Sequence, residues 1–151
     1  MEIRPLTKTD FDWILDHFDE FWPDEATRPR HHPIFINELS DSAFVLRDGD
    51  GDGDGDRVAA YLLGLIAQSS PTGYVHLVAV RRPYRRQGLA RRLYEHFVAH
   101  ARDRGCNRLK ATAAPWNAES IAFHLAFGMH QEEVADYAGP GIDRVVFTRD
   151  I

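Results

Sequence analysis

Residues 74–90 read Tyr74-Val75-His76-Leu77-Val78-Ala79-Val80-Arg81-Arg82-Pro83-Tyr84-Arg85-Arg86-Gln87-Gly88-Leu89-Ala90. The first seven form an alternating apolar run that predicts a β-strand. Leu89, Leu93, Phe97 and Ala101 then fall four apart and predict a long helix ending at Gly105. A glycine-bearing, arginine-rich turn therefore joins strand to helix. Glycine lets backbone N–H groups approach an anion closely, the first helical turn leaves further donors unpaired, and the helix dipole favours negative charge there. Such a turn suits a pyrophosphate.

Upstream, Met1 to Leu6 predicts a short strand, and Thr7 with Asp10 has capping-box spacing before Phe11, Ile14, Leu15, Phe18 and Phe21 recur at helical intervals. Residues 23–33 are expected to be loop, with Pro33 starting a second, short helix. Ala43 to Arg47 and Arg57 to Gln68 predict an antiparallel hairpin joined by an Asp-Gly repeat. Downstream, Leu109 to Ala113 is a strand, Asn117 to Phe127 a fourth helix stopped by Gly128, and Met129 to Val134 with Arg144 to Thr148 two closing strands. The expected architecture is α/β (α+β), a mixed sheet with helices packed on it.

At 151 residues the chain reads as one domain spanning 1–151, with residues 48–56 a mobile hairpin tip. Five of its 23 acids sit in that repeat, and without them the 18 Lys and Arg balance the remaining acids. Basic charge is concentrated at Arg81, Arg82, Arg85, Arg86, Arg91 and Arg92, a pattern that fits a compact polyanion better than a nucleic acid, and the pI of about 5.9 points the same way. No stretch approaches the roughly 20 apolar residues of a membrane helix, and the single cysteine, Cys106, suits a reducing compartment, so a cytoplasmic protein is expected. No metal is expected. The Asp-Gly repeat lacks the glutamate that closes a calcium loop, and the adjacent His31 and His32 cannot readily chelate one ion.

Arg85, Gly88 and Ala90 fit the signature of Arg or Gln, two residues, Gly, one residue, Gly or Ala, placed between a strand and a helix; Asn117, Ala122, Phe123, Phe127 and Gly128 follow about thirty residues on. In these stretches and in element order the chain resembles the GNAT superfamily of acyl-CoA-dependent N-acyltransferases. The resemblance implies a GNAT fold, a mostly antiparallel sheet of about seven strands splayed between the fourth and fifth and flanked by four helices. It implies acetyl-CoA as co-substrate, with pantetheine pairing along Val78, Ala79 and Val80 and pyrophosphate held by Arg85, Arg86, Gln87, Gly88, Leu89 and Ala90. Asn117 would face pantetheine or the departing sulfur. An exposed strand edge suits the amides of pantetheine.

Acetyl transfer to an amine needs a deprotonated nucleophile, oxyanion stabilisation and a proton for the leaving thiolate. His76, expected on the same strand face as Val78 and Val80, is the candidate base; the plainer alternative is a half-buried, hydrogen-bonded histidine. His124 occupies the place where many members of that superfamily carry an acidic tyrosine, with Tyr137 or solvent as alternatives. Thr112 stands where some ribosomal-protein acetyltransferases carry glutamate, which disfavours that subclass. Trp13, Trp22, Phe35, Trp116 and Tyr137 are candidate pocket walls, and Asp12, Asp16, Glu20, Glu38 and Asp136 candidate ammonium partners. The expected reaction is direct transfer from acetyl-CoA to a primary amine of a small molecule. Protein or peptide acetylation and an inactive acyl-CoA-binding module are the alternatives. A homodimer is left open, since dimers are common in that superfamily and no segment declares an interface.

Overall fold

The structure is a computed structural model describing residues 1–49 and 58–151. The expectations placed on the body of the Asp-Gly repeat lie outside the described residues.

After β1 (Ile3–Pro5), Thr7 caps α1 (Lys8–Asp16), its hydroxyl accepting the Asp10 N–H at 3.2 Å while Asp10 Oδ2 accepts the Thr7 N–H at 2.9 Å. The fully buried Asp10 carboxylate is also paired with Arg47, so the cap ties α1 to the sheet. This helix is shorter than its apolar spacing predicts. His17 stacks on Trp13 with ring centroids 3.9 Å apart and hydrogen-bonds the Trp13 carbonyl through Nδ1, and the chain turns into a 3-10 segment, Phe18–Glu20. Phe18 and Phe21 are buried all the same. The expected loop likewise contains a 3-10 helix, Glu25–Arg30, capped by Asp24, and α2 (Ile34–Asn37) follows Pro33.

The other elements are β2 (Ala43–Arg47), β3 (Val58–Ile66), β4 (Thr72–Val80), α3 (Leu89–Asp103), β5 (Arg108–Ala113), α4 (Ala118–Ala126), β6 (His130–Val134) and β7 (Arg144–Asp150). They build one seven-stranded sheet in the order β1-β2-β3-β4-β5-β7-β6, antiparallel except for β4 against β5. That one parallel pair is short, its last partners being Val75 and Ala111. Beyond them β4 runs on to Val80 without a neighbour on that side, which is the opening expected between the fourth and fifth strands.

Alternating side chains give the sheet two apolar faces. One carries Leu62, Val75, Leu109, Ala111, Val145 and Phe147 against α3, through Leu93, Tyr94 and Phe97. The other carries Val45, Tyr61, Leu63, Leu77 and Ala79 against Phe11, Ile14, Phe21 and Phe35. Close packing of α3 depends on Gly64, where an added Cβ would lie 2.6 Å from Phe97 Cε2. No helix among the described residues is long and apolar enough to cross a membrane.

Candidate active site

The edge of β4 carries a feature absent from the expected strand. On β3, Leu63 and Gly64 are consecutive, yet their partners on β4 are Leu77 and Val75, so His76 is an extra residue in a β-bulge. The bulge reverses the face presented by the rest of the strand. Val75, Val78 and Val80 all pack towards α3, whereas Leu77 and Ala79 join the opposite apolar cluster. His76 therefore does not share a face with Val78 and Val80, contrary to the simple alternation. Its ring stacks on Phe35 at 4.4 Å, across the sheet from α3. Nε2 lies 2.9 Å from the Arg30 carbonyl, to which it must donate, leaving the Nδ1 lone pair free. Burial, the largest influence, lowers the pKa of His76 and favours this neutral form.

The chain leaves β4 through a 3-10 turn, Arg82–Tyr84, and reaches α3 with Arg86 at φ 62° and Gly88 at φ 73°, both left-handed. Gly88 is the helix cap, and its missing side chain removes the usual N-capping acceptor. The first carbonyl to receive a helical bond is that of Gly88, from Arg92 N–H at 3.1 Å. Among the described residues, the backbone N–H groups of Arg86, Gln87, Gly88, Leu89, Ala90 and Arg91 have no acceptor. Six successive donors without an acceptor thus stand at the positive end of a four-turn helix, on the chain that leaves β4. This arrangement can hold an anion.

The arginines divide into two sets. Arg85 points inward, donating to the carbonyls of Val80 at 3.1 Å and Phe21 at 3.0 Å. Arg81 pairs with Glu20 and lies over Trp13, Arg91 pairs with Glu95, and Arg92 donates to the Met1 carbonyl. Only Arg82 and Arg86 of the cluster have no side-chain partner among the described residues. A phosphate contact therefore suits Arg86, while Arg85 fastens the turn to the first helical layer.

Asn117 caps α4, its Oδ1 accepting the Ser120 N–H at 3.1 Å, and its amide NH2 has no acceptor among the described residues. His124 on that helix is buried. Nδ1 donates to the Ser120 carbonyl at 2.7 Å, so Nε2 is the acceptor for the Tyr94 hydroxyl at 2.6 Å, and the ring stacks on Phe147 at 4.2 Å. Both nitrogens are engaged, and burial lowers the pKa of His124. Tyr137 stands on the β6–β7 connection, 40% exposed, with Lys110 Nζ 5.2 Å from its ring centre. Thr112 meets the Tyr74 hydroxyl at 3.4 Å.

A buried network escaped the sequence reading. Trp22 Nε1 donates to the Tyr61 hydroxyl at 2.7 Å, and that hydroxyl donates to His31 Nε2 at 2.6 Å. His31 Nδ1 in turn donates to the Thr27 carbonyl at 2.9 Å. Desolvation lowers the pKa of His31 to about 4. The network nails the Glu25–Arg30 segment to β3 and accounts for Trp22 as core rather than pocket wall. His32 instead accepts the Ile34 N–H, so the two histidines face different tasks. Trp116 is 83% exposed, Glu20 is occupied by Arg81 and Asp12 by Lys8, and Asp136 braces its own turn by accepting from Gly141 N–H.

Residues 10–129 match the model of the Acetyltransferase (GNAT) family. An aminoglycoside N(6')-acetyltransferase type 1 from Acinetobacter genomosp. 13 is 36% identical over 70 residues, which cover 46% of this chain and 48% of that protein. The chain thus matches about half the length of that curated relative. Among solved structures, the ribosomal-protein-S18-alanine N-acetyltransferase of Escherichia coli superposes with a TM-score of 0.68 at 20% identity, over 99% of this chain and 93% of that one. A chain of the NatC complex bound to Gag peptide and CoA gives 0.73 at 18% identity, over 100% and 99%. At these identities the two structures speak for the fold.

Proposed function

The chain belongs to the Acetyltransferase (GNAT) family, and from that premise we propose that it moves an acetyl group from acetyl-CoA to the primary amine of a small molecule. The observation that carries this reading is the row of unpaired N–H groups from Arg86 to Arg91 on the chain that leaves the free edge of β4. Those donors would take the pyrophosphate, with Arg86 adding charge. Pantetheine would extend along Val78, Ala79 and Val80 as an added strand, near the amide of Asn117. The small-molecule acceptor is supported by the partial relative named for aminoglycoside acetylation.

In direct transfer the amine nitrogen attacks the thioester carbon, the C–S bond breaks, and the sulfur leaves as thiolate. The ammonium must first lose a proton. We assign that proton to His76 Nδ1, the free nitrogen of a ring whose Nε2 is fixed by the Arg30 carbonyl. The nitrogen sheds its second proton to water as the adduct collapses, and the thiolate takes one up from Tyr137 on the rim or from water. His124, with Tyr94 on one nitrogen and Ser120 on the other, positions α4 against α3 instead.

Melting the protein with increasing acetyl-CoA tests the cofactor, since a ligand at about a hundred times its Kd stabilises by about 2.7 kcal/mol. Thiol release over a panel of amines tests the transfer. Stabilisation without turnover on any amine or peptide would identify a binding module, and turnover confined to peptides would reassign the acceptor.

A further inference from the structure

On the face of the sheet away from α3, the opened end of β4 and β5 gathers three cations, with Glu132 of β6, opposite Val146, an acid on the same face. Leu109, Ala111 and Ala113 face α3, which places Lys110 and Thr112 on the other side; Val145 and Phe147 place Arg144 there too. Tyr74, next to Val75, and the bulged His76 complete that surface. Arg30 reaches it from the 3-10 helix. Its Nη2 lies 3.4 Å from the His76 carbonyl, and its own carbonyl accepts from the His76 ring.

Arg30 is half-buried, and no carboxylate pairs with it among the described residues; Arg28, two positions earlier, is paired with Glu25. Among the described residues Arg144 is without an acid as well, its side chain donating to the carbonyl of Asp143. The acids of the adjoining loop form no ion pair with either arginine among the described residues, and each is oriented by backbone, Asp143 Oδ1 accepting the Asp136 N–H and Asp136 Oδ1 that of Gly141. Desolvation, the largest influence, makes the charge on Arg30 costly; Tyr74 eases that cost and the repulsion of Arg144 adds to it. A half-buried guanidinium kept without an anion is a site for one that arrives from outside, and its planar fork matches a carboxylate.

We infer that the acceptor is an amine that also carries a carboxylate, and that Arg30, with Arg144 beside it, holds that carboxylate so that the amine faces His76. This rests on the N-acetyltransferase reading and narrows its substrate class. A polycationic amino sugar would meet Arg30, Lys110 and Arg144 with like charge, whereas an amino-acid-like molecule would neutralise them.

The test compares thiol release for a panel of amino acids with their matching amides and with kanamycin, in the wild-type protein and in Arg30→Gln. The expected wild-type preference for acid over amide is at least about tenfold in kcat/KM, arising in KM. It should fall to near unity in Arg30→Gln, return in part in Arg30→Lys, and survive in Arg28→Gln. Should Arg30→Gln fail to fold, Arg144→Gln carries the same expectation of a reduced preference. Equal or better use of amides or kanamycin would overturn the inference, as would an undiminished preference in Arg30→Gln. Absence of turnover on every carboxylate-bearing amine, in protein that acetyl-CoA stabilises, would overturn it while leaving cofactor binding intact. Failure of acetyl-CoA to stabilise would instead strike the transferase reading.

Discussion

Replacing Gly88 by Asn and by Asp separates backbone strain from charge at the anion cradle. Gly88 sits at φ 73°, and a Cβ built there meets nothing within 4 Å, so either side chain has room but must adopt the left-handed region. That conformation costs a non-glycine residue about 1–2 kcal/mol, with Asn and Asp among the better tolerated. The two variants are nearly isosteric and share this strain, so their difference reports charge. With an aspartate ~5 Å from a pyrophosphate and an effective dielectric between ~20 and ~80, each unit of ligand charge adds about 0.8–3.3 kcal/mol of repulsion. Even a single unit of pyrophosphate charge should therefore make acetyl-CoA bind Gly88→Asp about 4-fold to about 250-fold more weakly than Gly88→Asn, and the second unit widens the gap. The free protein should respond in the opposite direction, because a carboxylate at a helix N-cap stabilises by about 0.3–1 kcal/mol through the dipole. Calorimetric titration with acetyl-CoA, paired with thermal melts, reads both quantities. Raising the salt to 1 M should shrink the affinity ratio. Equal affinities for the two variants at low salt would refute the placement of the pyrophosphate.

Tyr94→Phe removes the donor to a buried imidazole nitrogen and should destabilise the fold by about 1–3 kcal/mol; an unchanged denaturation midpoint would argue against the assigned tautomer of His124. Gly64→Ala drives a methyl group into Phe97 and should cost about 1–3 kcal/mol, lowering Tm by roughly 2–4 °C per kcal/mol. His31, held neutral with a pKa of about 4, contributes stability that is complete above the unfolded value of about 6.5 and is lost as pH falls toward 4. Chemical denaturation across that window should show the decline, and His31→Gln should flatten it; parallel profiles would remove His31 as a cause. If His76 is the base, turnover should fall on an acidic limb below its ordinary pKa, the direction in which burial moves it, and His76→Ala should abolish that limb with acetyl-CoA affinity retained.

Local periodicity carried most of the architecture, because the spacing of Leu89, Leu93 and Phe97 or the cap at Thr7 depends on neighbours along the chain. The opening between β4 and β5 came with the family resemblance and is present in the sheet. What escaped prediction depends on partners distant in sequence. The bulge at His76 exists only relative to the register of β3, so alternation along β4 alone placed the ring on the wrong face. Arg85 fits the turn's signature by position, yet its side chain is claimed by a carbonyl 64 residues away. His31 was masked by its neighbour His32, since nothing local distinguishes a core histidine bonded to Tyr61 from a solvent-facing one. The end of α1 is the exception, a local one: His17, the C-cap, lies on Trp13 four residues before it, and apolar spacing alone does not mark that stop.

One inserted residue changes the parity of β4. Ahead of the bulge, Tyr74 and His76 face away from α3; past it, the even-numbered Val78 and Val80 look towards that helix. The two halves of a single strand are consequently independent design variables. On the proposed reading, exchanging Tyr74 or His76 alters which amine is admitted, while Val78 and Val80 answer to helix packing and leave their backbone edge to the cofactor.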